Sequence, residues 1–300
     1  MQNKKAAVFI LLGQSNAVGH GVPMREEDKI LTPLTNVFGL SRKHNQRLDL
    51  DALTWEGYVS FGMNLAEEQD NTYSVANLLA ALWQGQIDGG KQLPDLYIVQ
   101  IAIGAQGVTD GYMWHPDRAP RLTPGKLGTV DISLFPFSTR VLSLLKKSFD
   151  ARGTDYEIIG LHWRGGENDV SATTEYLHAH LEGIYRRIFD ELDRLLGAPP
   201  TVLHRLVCPD RMMDTDPTGG KRERMHYING VFDKLAAERE NFSIFDARNA
   251  PQFLSDVRGN GLFIADAVHF TPEVNAFVAG EILKDYENKK QTNKQTNKGR

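Results

Sequence analysis

This 300-residue sequence has only one cysteine, no long apolar run and little excess of charge of either sign. The single cysteine, Cys208, excludes an intramolecular disulfide, and we expect it to be a small buried apolar residue. No apolar run approaches the ~20 residues that a membrane span requires. The formal net charge of −4 gives no indication of a nucleic-acid or membrane partner.

Several patterns imitate targeting or ligand-binding signals without meeting their requirements. Lys4-Lys5 and the apolar run Ala6 to Leu12 look like a secretory signal, but the run is short. We therefore interpret it as the first strand and expect a cytoplasmic protein. His178 and His180 fall on nearly opposite faces of a predicted helix, which disfavours a metal site. No phosphate-binding loop or dinucleotide fingerprint is present in the sequence, so we expect no metal or organic cofactor.

Composition favours one large folded domain with a short tail. With 41% hydrophobic and 24% charged residues and no composition break, residues 1–288 are expected to form a single domain. From Lys289 the sequence repeats Gln-Thr-Asn-Lys and lacks apolar residues, which predicts a disordered tail over 289–300.

Apolar periodicity alternates between strand and helix along the chain. Strand-like runs cover 6–12, 95–103, 157–162, 201–207 and 242–246, and helical periodicity covers 73–84, 134–149, 173–196 and 224–237. Such alternation predicts a parallel sheet with right-handed crossovers and helices on both faces. The expected fold is an α/β, three-layer α/β/α sandwich with a flavodoxin-like parallel sheet.

The first predicted strand ends at a glycine and is followed at once by a serine between two amides, Gly13-Gln14-Ser15-Asn16. Open α/β sheets place their ligand crevice at the carboxyl ends of the strands, where Ser15 would lie. Because a serine hydroxyl is a poor nucleophile until an imidazole takes its proton, this interpretation needs partners elsewhere.

A carboxylate and an imidazole near the far end of the chain supply candidate partners. Asp266 precedes His269 by three residues, and Pro272 then opens a predicted helix, so both side chains belong to one short loop. A buried carboxylate can fix the tautomer of such an imidazole and stabilise the imidazolium that forms. The alternative is a histidine that packs beside the helix start and a solvated loop acid.

Two other strand ends carry groups that suit an oxyanion. The amide of Asn168, in Gly166-Glu167-Asn168-Asp169, can donate a hydrogen bond towards a negatively charged oxygen. The backbone N–H of Gly104 follows the strand over 95–103 and could serve the same oxygen. Each glycine alone is also typical of an ordinary turn.

Together these blocks resemble the SGNH/GDSL hydrolase superfamily, and within it the carbohydrate acetylesterases related to sialate O-acetylesterase, carbohydrate esterase family six. The resemblance covers the chain from about Val8 to about Ile282 through short blocks. It implies the SGNH hydrolase fold and a serine esterase that removes O-acetyl groups from a carbohydrate through an acetyl-enzyme. The residues that it implies are Ser15, Asp266 and His269 for catalysis and Ser15, Gly104 and Asn168 for the oxyanion hole.

The sequence departs from that subgroup in two blocks. The third block usually reads Trp-x-Gln-Gly-Glu-Ser-Asp, whereas Trp163-Arg164-Gly165-Gly166-Glu167-Asn168-Asp169 lacks the Gln and carries the Asn of the wider superfamily. The second block usually reads Gly-Gly-Thr, and here Gly107 is an alternative to Gly104 as oxyanion glycine. Glu167 and Asp169 are alternatives to Asp266 as the group that orients His269.

Two long segments without clear periodicity, 19–71 and 105–128, follow the strand ends that carry Ser15 and Gly104. Loops in that position overhang the crevice. We expect Gln14, Trp55, Tyr112, Trp114 and Glu167 to contact substrate, the aromatic rings by packing on a sugar; the alternative is that the rings only pin long loops. The other functions considered are a short-chain lipase or thioesterase of the same class and a non-catalytic carbohydrate-binding protein on this fold.

Overall fold

The computed structural model describes residues 5–40, 54–66, 72–118, 124–125, 128–129, 133–207, 220–250, 260–266 and 268–298. Cys208 lies outside these residues. The strands are Ala6–Gly13 (β1), Val37–Leu40 (β2), Trp55–Gly57 (β3), Leu96–Ala102 (β4), Pro124–Gly125 (β5), Gly128–Thr129 (β6), Tyr156–Arg164 (β7), Thr201–His204 (β8) and Phe242–Phe245 (β9).

The helices are Ser15–Val18 (α1), Val75–Asp88 (α2), Leu134–Asp150 (α3), Thr174–Tyr176 (α4), Glu182–Leu196 (α5), Gly220–Glu238 (α6) and Pro272–Lys298 (α7), with a π turn, Leu177–Leu181, joining α4 to α5. Short 3-10 turns cover Glu26–Asp28, Glu167–Ser171, Ala247–Asn249 and Asn260–Leu262. Within the described ranges, none of the helices combines the length and apolar character that crossing a lipid bilayer requires.

Seven of the described strands form one sheet in the order β3-β2-β4-β1-β7-β8-β9. Neighbouring strands are parallel except for the antiparallel pair of β2 with the edge strand β3. Without β2 and β3, the order is the 2-1-3-4-5 of flavodoxin-like sheets, whose ligands bind where the strand order reverses. That point is the carboxyl end of β1 beside β7, and the predicted fold class is confirmed.

The central strand β1 is buried on both faces and divides the core in two. Its residues Ala6, Val8, Ile10 and Leu12 face the apolar sides of α3, α5 and α6. The alternate residues Ala7, Phe9 and Leu11 face α2 and α7. An apolar run without alternation is what a strand covered by helices on both sides requires.

Three strands of the sheet end level with one another. Gly13 of β1 is paired with Ala102 of β4 and with Arg164 of β7. The segments that carry Ser15, Gly104 and Glu167 therefore leave the sheet from one row.

The helix α7 continues to Lys298, through most of the segment 289–300 that the composition predicts to be a tail. Lys290 forms an ion pair with Glu157 at 2.9 Å and lies over the ring of Tyr286. The first half of α7 is fixed by packing on the sheet, and adding further residues to an existing helix requires no new nucleation.

Candidate active site

The turn that presents Ser15 depends on a glycine. Gly13 has φ +146°, and a Cβ there would lie 1.9 Å from the carbonyl oxygen of Arg164. The chain therefore passes close to β7 and turns directly into α1, with Ser15 as its first residue. Gly19, at φ +88°, ends this helix by donating its N–H to the Ser15 carbonyl. The residue types of the Gly-Gln-Ser-Asn block thus fix the local backbone.

Asp266 and His269 occupy a tight turn between two phenylalanines. Phe263 and Phe270 pair as an antiparallel bridge with their rings stacked 4.9 Å apart, and the N–H of Ile264 donates to the carbonyl of His269. This places Asp266 Oδ2 2.6 Å from His269 Nδ1. Because a carboxylate only accepts, Nδ1 carries the proton and Nε2 keeps its lone pair.

The carboxylate of Asp266 is held in its charged form. Partial burial acts to raise its pKa, but N–H donation from His269 and Val268, together with the His269 imidazole, brings the pKa below its usual range. Its Oδ1 accepts both backbone N–H groups, at 3.0 and 2.9 Å. An ionised Asp266 is suited to stabilise an imidazolium at His269.

Asn16 joins the serine segment to the histidine segment. Its Oδ1 accepts the N–H of Phe270 at 3.1 Å, and its Nδ2 donates to the carbonyl of Val268 at 3.2 Å. The same Nδ2 donates to Glu167 Oε1 at 2.8 Å. One buried amide, directly after Ser15, thus holds both neighbours of His269 and the end of β7. Sequence reasoning missed this role; the only signal was the position of Asn16 in the Gly-Gln-Ser-Asn block.

Arg164 is the second residue that sequence reasoning missed. It is buried, and its Nη1 donates to the Asn16 carbonyl and to Asn275 Oδ1, both at 2.9 Å. Its guanidinium lies 5.1 Å from the ring centre of Phe270. Burial lowers the pKa of Arg164 to about 10, while Glu167 acts in the opposite direction, so Arg164 stays charged at neutral pH. Trp163-Arg164 gave no signal because an arginine in a strand is usually expected at the surface.

The two candidate oxyanion glycines have different surroundings. A Cβ on Gly104 would lie 2.4 Å from His20 Cε1, whereas a Cβ on Gly107 would lie 2.3 Å from Asp169 Oδ1. Asp169 is buried and accepts the N–H groups of Val108 and Thr109, at 2.9 Å each. Burial raises its pKa to about 6 against the effect of these hydrogen bonds. Gly107 therefore packs on a buried carboxyl group, and Gly104 packs on an imidazole.

The remaining polar candidates lie around the same strand ends. Asn168 is partly exposed in the turn Glu167–Ser171, which follows Gly166 at φ +126°. Glu167 is engaged by Asn16, and within the described part of the chain its Oε2 is buried without a hydrogen-bond partner. The same holds for Oε1 of Gln14, whose side chain is buried.

The aromatic candidates separate into covered and partly open side chains. Trp55 is in the core, where its indole N–H donates to Ser148 Oγ at 3.1 Å. Trp114 is 1% exposed and donates its indole N–H to the carbonyl of Gly13 at 2.9 Å. Both indoles are buried in the structure: that of Trp55 joins β3 to α3, and that of Trp114 joins its loop to the end of β1. Tyr112 is partly exposed.

No metal-binding cluster of three or more His, Cys, Asp or Glu side chains occurs in the described ranges. Ser15 follows the carboxyl end of β1, and the pair of Asp266 and His269 is joined to the same segment through Asn16. A serine, an imidazole with its carboxylate and N–H donors are the kinds of group that nucleophilic acyl transfer uses.

No known family model matches the sequence, and a comparison with curated proteins found no match. The fold of this chain resembles those of several solved structures. A protein of Arabidopsis thaliana is 16% identical over 94% of this chain and 98% of its own, with a TM-score of 0.57. NanS is 14% identical over 96% of this chain and 99% of its own, with a TM-score of 0.55. An acetyl xylan esterase from Geobacillus stearothermophilus is 14% identical over 94% of each chain, at a TM-score of 0.44. At these identities the likeness to the first two shows the fold alone.

Proposed function

We propose that this protein is a serine esterase that removes short acyl groups, with O-acetyl groups of a carbohydrate as its substrate class. The observation that carries this proposal is the pair formed by Asp266 and His269, held against the serine segment by Asn16. The pair has the tautomer that a general base needs, because Nε2 is left as the acceptor. The sequence resemblance to SGNH/GDSL acetylesterases supports the same chemistry.

In the proposed reaction, Ser15 Oγ attacks the ester carbonyl while His269 Nε2 takes its proton. The N–H groups of Ser15 and Gly104 and the Asn168 amide hold the oxyanion of the tetrahedral intermediate. His269 then protonates the leaving alcohol oxygen, which leaves an acetyl group on Ser15. Water, activated by His269 in the same way, releases acetate and restores the serine.

The surroundings of the two glycines support Gly104 over Gly107 as the oxyanion residue. Gly104 packs on His20, whose ring contacts that of His269 at 5.7 Å between centroids. Gly107 packs on Asp169 and belongs to a loop that this buried carboxyl holds. A donor must face the atom where negative charge develops, and Gly104 is the glycine on the histidine side.

Existing contacts likewise support Asp266 as the group that orients His269. Asp266 accepts from Nδ1 directly, whereas Glu167 accepts from Asn16 and Asp169 from Val108 and Thr109. If Glu167 or Asp169 turned towards His269 instead, it would leave its present buried hydrogen-bond donors without an acceptor, which is unfavourable.

The Ser15→Ala variant tests the proposal. It should lose nearly all turnover of 4-nitrophenyl acetate while keeping the wild-type urea unfolding midpoint. A fluorophosphonate should label the wild-type protein on Ser15, located by mass spectrometry of its peptides. Full activity in the variant, or a label on another serine only, would contradict the assignment. Absence of any ester turnover in the wild-type protein would favour a non-catalytic binding protein.

A second candidate is a short-chain esterase or thioesterase whose substrate is not a sugar. The covered indoles of Trp55 and Trp114 favour it, because they remove two of the flat faces expected to pack on a sugar ring. Comparing acetyl, butyryl and octanoyl esters, acetyl thioesters, and acetate release from O-acetylated xylan and O-acetyl sialic acid separates the two. The carbohydrate proposal requires acetyl preference and acetate from at least one of the two carbohydrates.

A further inference from the structure

The carbonyl oxygen of Gly13, two residues before Ser15, accepts a hydrogen bond from a side chain that the reaction described above does not use. Trp114 Nε1 donates to it at 2.9 Å, and this indole is 1% exposed. Gly13, at φ +146°, is the glycine on which the turn into α1 depends. A loop 101 residues further along the chain thus holds the backbone of the proposed nucleophile segment.

Both polar ends of the peptide group that joins Gly13 to Gln14 are held. Its carbonyl accepts from Trp114, and its N–H donates to the carbonyl of Arg164 at 2.9 Å. Because a peptide group is planar, two such bonds fix its orientation. They are needed here because a glycine restricts its own φ and ψ less than any other residue. The side chain of Gln14 forms no capping hydrogen bond at the start of α1 that could replace them.

The helix that begins with Ser15 is only one turn long, so its own hydrogen bonds do little to set its direction. Side chains from three distant elements hold carbonyl groups of this segment: Trp114 that of Gly13, Arg164 that of Asn16, and Gln100 that of Ala17. Trp114 is the donor that acts before the helix begins. A rotation of the backbone at Gly13 would displace every residue of the helix, beginning with Ser15.

The indole of Trp114 is itself fixed by its surroundings. Its ring packs edge-to-face on Trp163 of β7, at 4.9 Å between centroids. Its backbone N–H donates to the carbonyl of Gly107 at 3.2 Å, and the N–H of Leu134, where α3 begins, donates to the carbonyl of Met113 at 2.7 Å. A side chain whose own position is set by packing can set the position of the group to which it donates.

We propose that Trp114 is a positioning residue for the proposed nucleophile: its indole N–H fixes the peptide group between Gly13 and Gln14, and thereby the position of the Ser15 hydroxyl. This inference rests on the proposed esterase function. It gives the buried indole a role in the reaction that requires no contact with substrate. Because the orientation of a reacting group affects the rate of the chemical step, the effect should appear in kcat.

Trp114→Phe and a matched control, Trp83→Phe, test this proposal. Trp83 is also buried, and its indole N–H also donates to a backbone carbonyl at 2.9 Å, that of Pro94. Pro94 precedes β4, which is parallel to β1, so it lies at the edge of the sheet opposite to Ser15. Each variant replaces a buried indole by a phenyl ring and removes one donor from a backbone carbonyl. Both should therefore lower the urea unfolding midpoint by a similar amount.

The two variants should differ in their reaction with esters. On 4-nitrophenyl acetate, we expect Trp114→Phe to lower kcat by about 10- to 100-fold with KM nearly unchanged, since a displacement of ~1 Å in a reacting group can cost a hundredfold. The rate of fluorophosphonate labelling of Ser15 should fall by a similar factor. Trp83→Phe should keep the wild-type kcat and labelling rate.

A second replacement removes the N–H without changing the packing of the ring. With 3-benzothienylalanine in place of Trp114, sulfur stands where the indole carries its N–H, and the bicyclic ring is kept. This protein should show the same loss of kcat as Trp114→Phe. It also tests the proposal if the smaller phenyl ring leaves Trp114→Phe unfolded.

Three results would overturn the inference while the proposed function stands. An equal loss of kcat in Trp114→Phe and Trp83→Phe would mean that both indoles act through stability alone. Wild-type kcat in the benzothienyl protein would mean that the N–H is not required. A rise in KM alone would make Trp114 a substrate contact. If the wild-type protein neither hydrolyses 4-nitrophenyl acetate nor takes the fluorophosphonate label, the proposed function fails, and the inference fails with it.

Discussion

Replacing Asn16 by Asp exchanges one heavy atom, the amide nitrogen Nδ2 for an oxygen, and tests how the segments of the candidate site are joined. The new carboxyl can still accept the N–H of Phe270, but it loses the amide that donates to Glu167 and to the carbonyl of Val268. Two carboxyl oxygens would then meet at a site where the present donor and acceptor are 2.8 Å apart. The substitution is close to isosteric, so the expected effect is electrostatic rather than steric.

The expected loss of stability depends on the distance between the two carboxyl groups and on the free-energy cost of protonating one of them. Two unit charges 2.8 Å apart at an effective dielectric constant near 20 repel by about 6 kcal/mol. Uptake of one proton avoids this repulsion, and at pH 7 it costs about 4 kcal/mol for a carboxyl group with an ordinary pKa near 4. Protonation therefore limits the loss to about 4 kcal/mol at pH 7. Arg164, which contacts the Asn16 carbonyl, offsets part of it.

Because protonation limits the loss of stability, the loss should become smaller as the pH falls. The raised pKa of the shared proton means that the folded variant binds a proton that the unfolded chain releases above pH ~4. Stability relative to the wild type therefore recovers as the pH falls, by about 1.4 kcal/mol for each pH unit from 7 to 5. The protonated pair also regains a donor between the two carboxyl groups, so part of the ester turnover should return.

Urea unfolding of the wild type, Asn16→Asp and Asn16→Ala at pH 7 and pH 5 measures this effect. Asn16→Ala removes all three hydrogen bonds, including the one from Phe270 that Asp keeps, without adding a charge, so its deficit should not change between the two pH values. The reasoning is refuted if Asn16→Asp unfolds at the wild-type urea concentration at pH 7. It is equally refuted if its deficit is as independent of pH as that of Asn16→Ala, because Asn16 and Glu167 would then not be in contact.

Three further predictions concern other groups of the site and core. Asn168→Ala should lower kcat by about two to three orders of magnitude and leave KM nearly unchanged, because the amide binds charge that develops in the transition state; steady-state kinetics on 4-nitrophenyl acetate measures both. Burial lowers the pKa of His162 to about 3 and that of His204 well below its ordinary value, so both stay neutral while the unfolded chain binds protons below pH ~6.5. Their contribution to stability should fall by about 2 kcal/mol each between pH 7 and pH 5, partly offset by Asp169, whose raised pKa acts in the opposite direction. Arg164→Met should lower kcat far more than Arg164→Lys, since lysine keeps a charged donor for the Asn16 carbonyl.

Each of these predictions has an opposing result. A rise in KM alone for Asn168→Ala would make Asn168 a contact to the bound substrate in its ground state. An unfolding free energy that does not change between pH 7 and pH 5 would contradict the neutral His162–His204 pair, whose nitrogens are 2.9 Å apart. Equal kcat in Arg164→Met and the wild type would mean that the contacts of Arg164 do not position the site.

The strands and helices that could be predicted from the sequence are those with a strong local pattern. β1, β4 and β7 are mainly apolar runs that end at a glycine or shortly before one, and the structure confirms each within two residues. The short strands β2 and β3, by contrast, lie in the segment 19–71, where no periodicity is visible. They comprise four and three residues and form only through non-local pairing with β4 and with each other.

The candidate site divides in the same way. The pair of Asp266 and His269 was predictable because its spacing is local, and the structure places the two in contact. The contacts of Asn16 with Glu167 and with Phe270 span 151 and 254 residues, so no local pattern encodes them. Trp55 and Trp114 lie in segments without clear periodicity, so the sequence does not indicate whether their rings are buried. Their burial results from packing against α3 and the end of β1, which are distant in sequence.

In the part of the chain that the structure describes, the two buried side chains among Lys, Arg, Asp and Glu are Arg164 and Asp169, and both lie at the carboxyl end of β7 beside the half-buried Glu167. Arg164, Glu167 and Asp169 lie within six residues, and each holds a different segment: Arg164 the start of α7 and the carbonyl of Asn16, Glu167 the Asn16 amide, and Asp169 the backbone after Gly107. Burying charge is unfavourable, and apolar residues of equal volume often stabilise a protein as well or better. Apolar residues, however, could not form the directed hydrogen bonds that hold these separate segments. The positions of Asn16, Asn275 and the backbone after Gly107 therefore depend on one strand end, whose charges stabilise the fold little by themselves but fix where each of these segments lies.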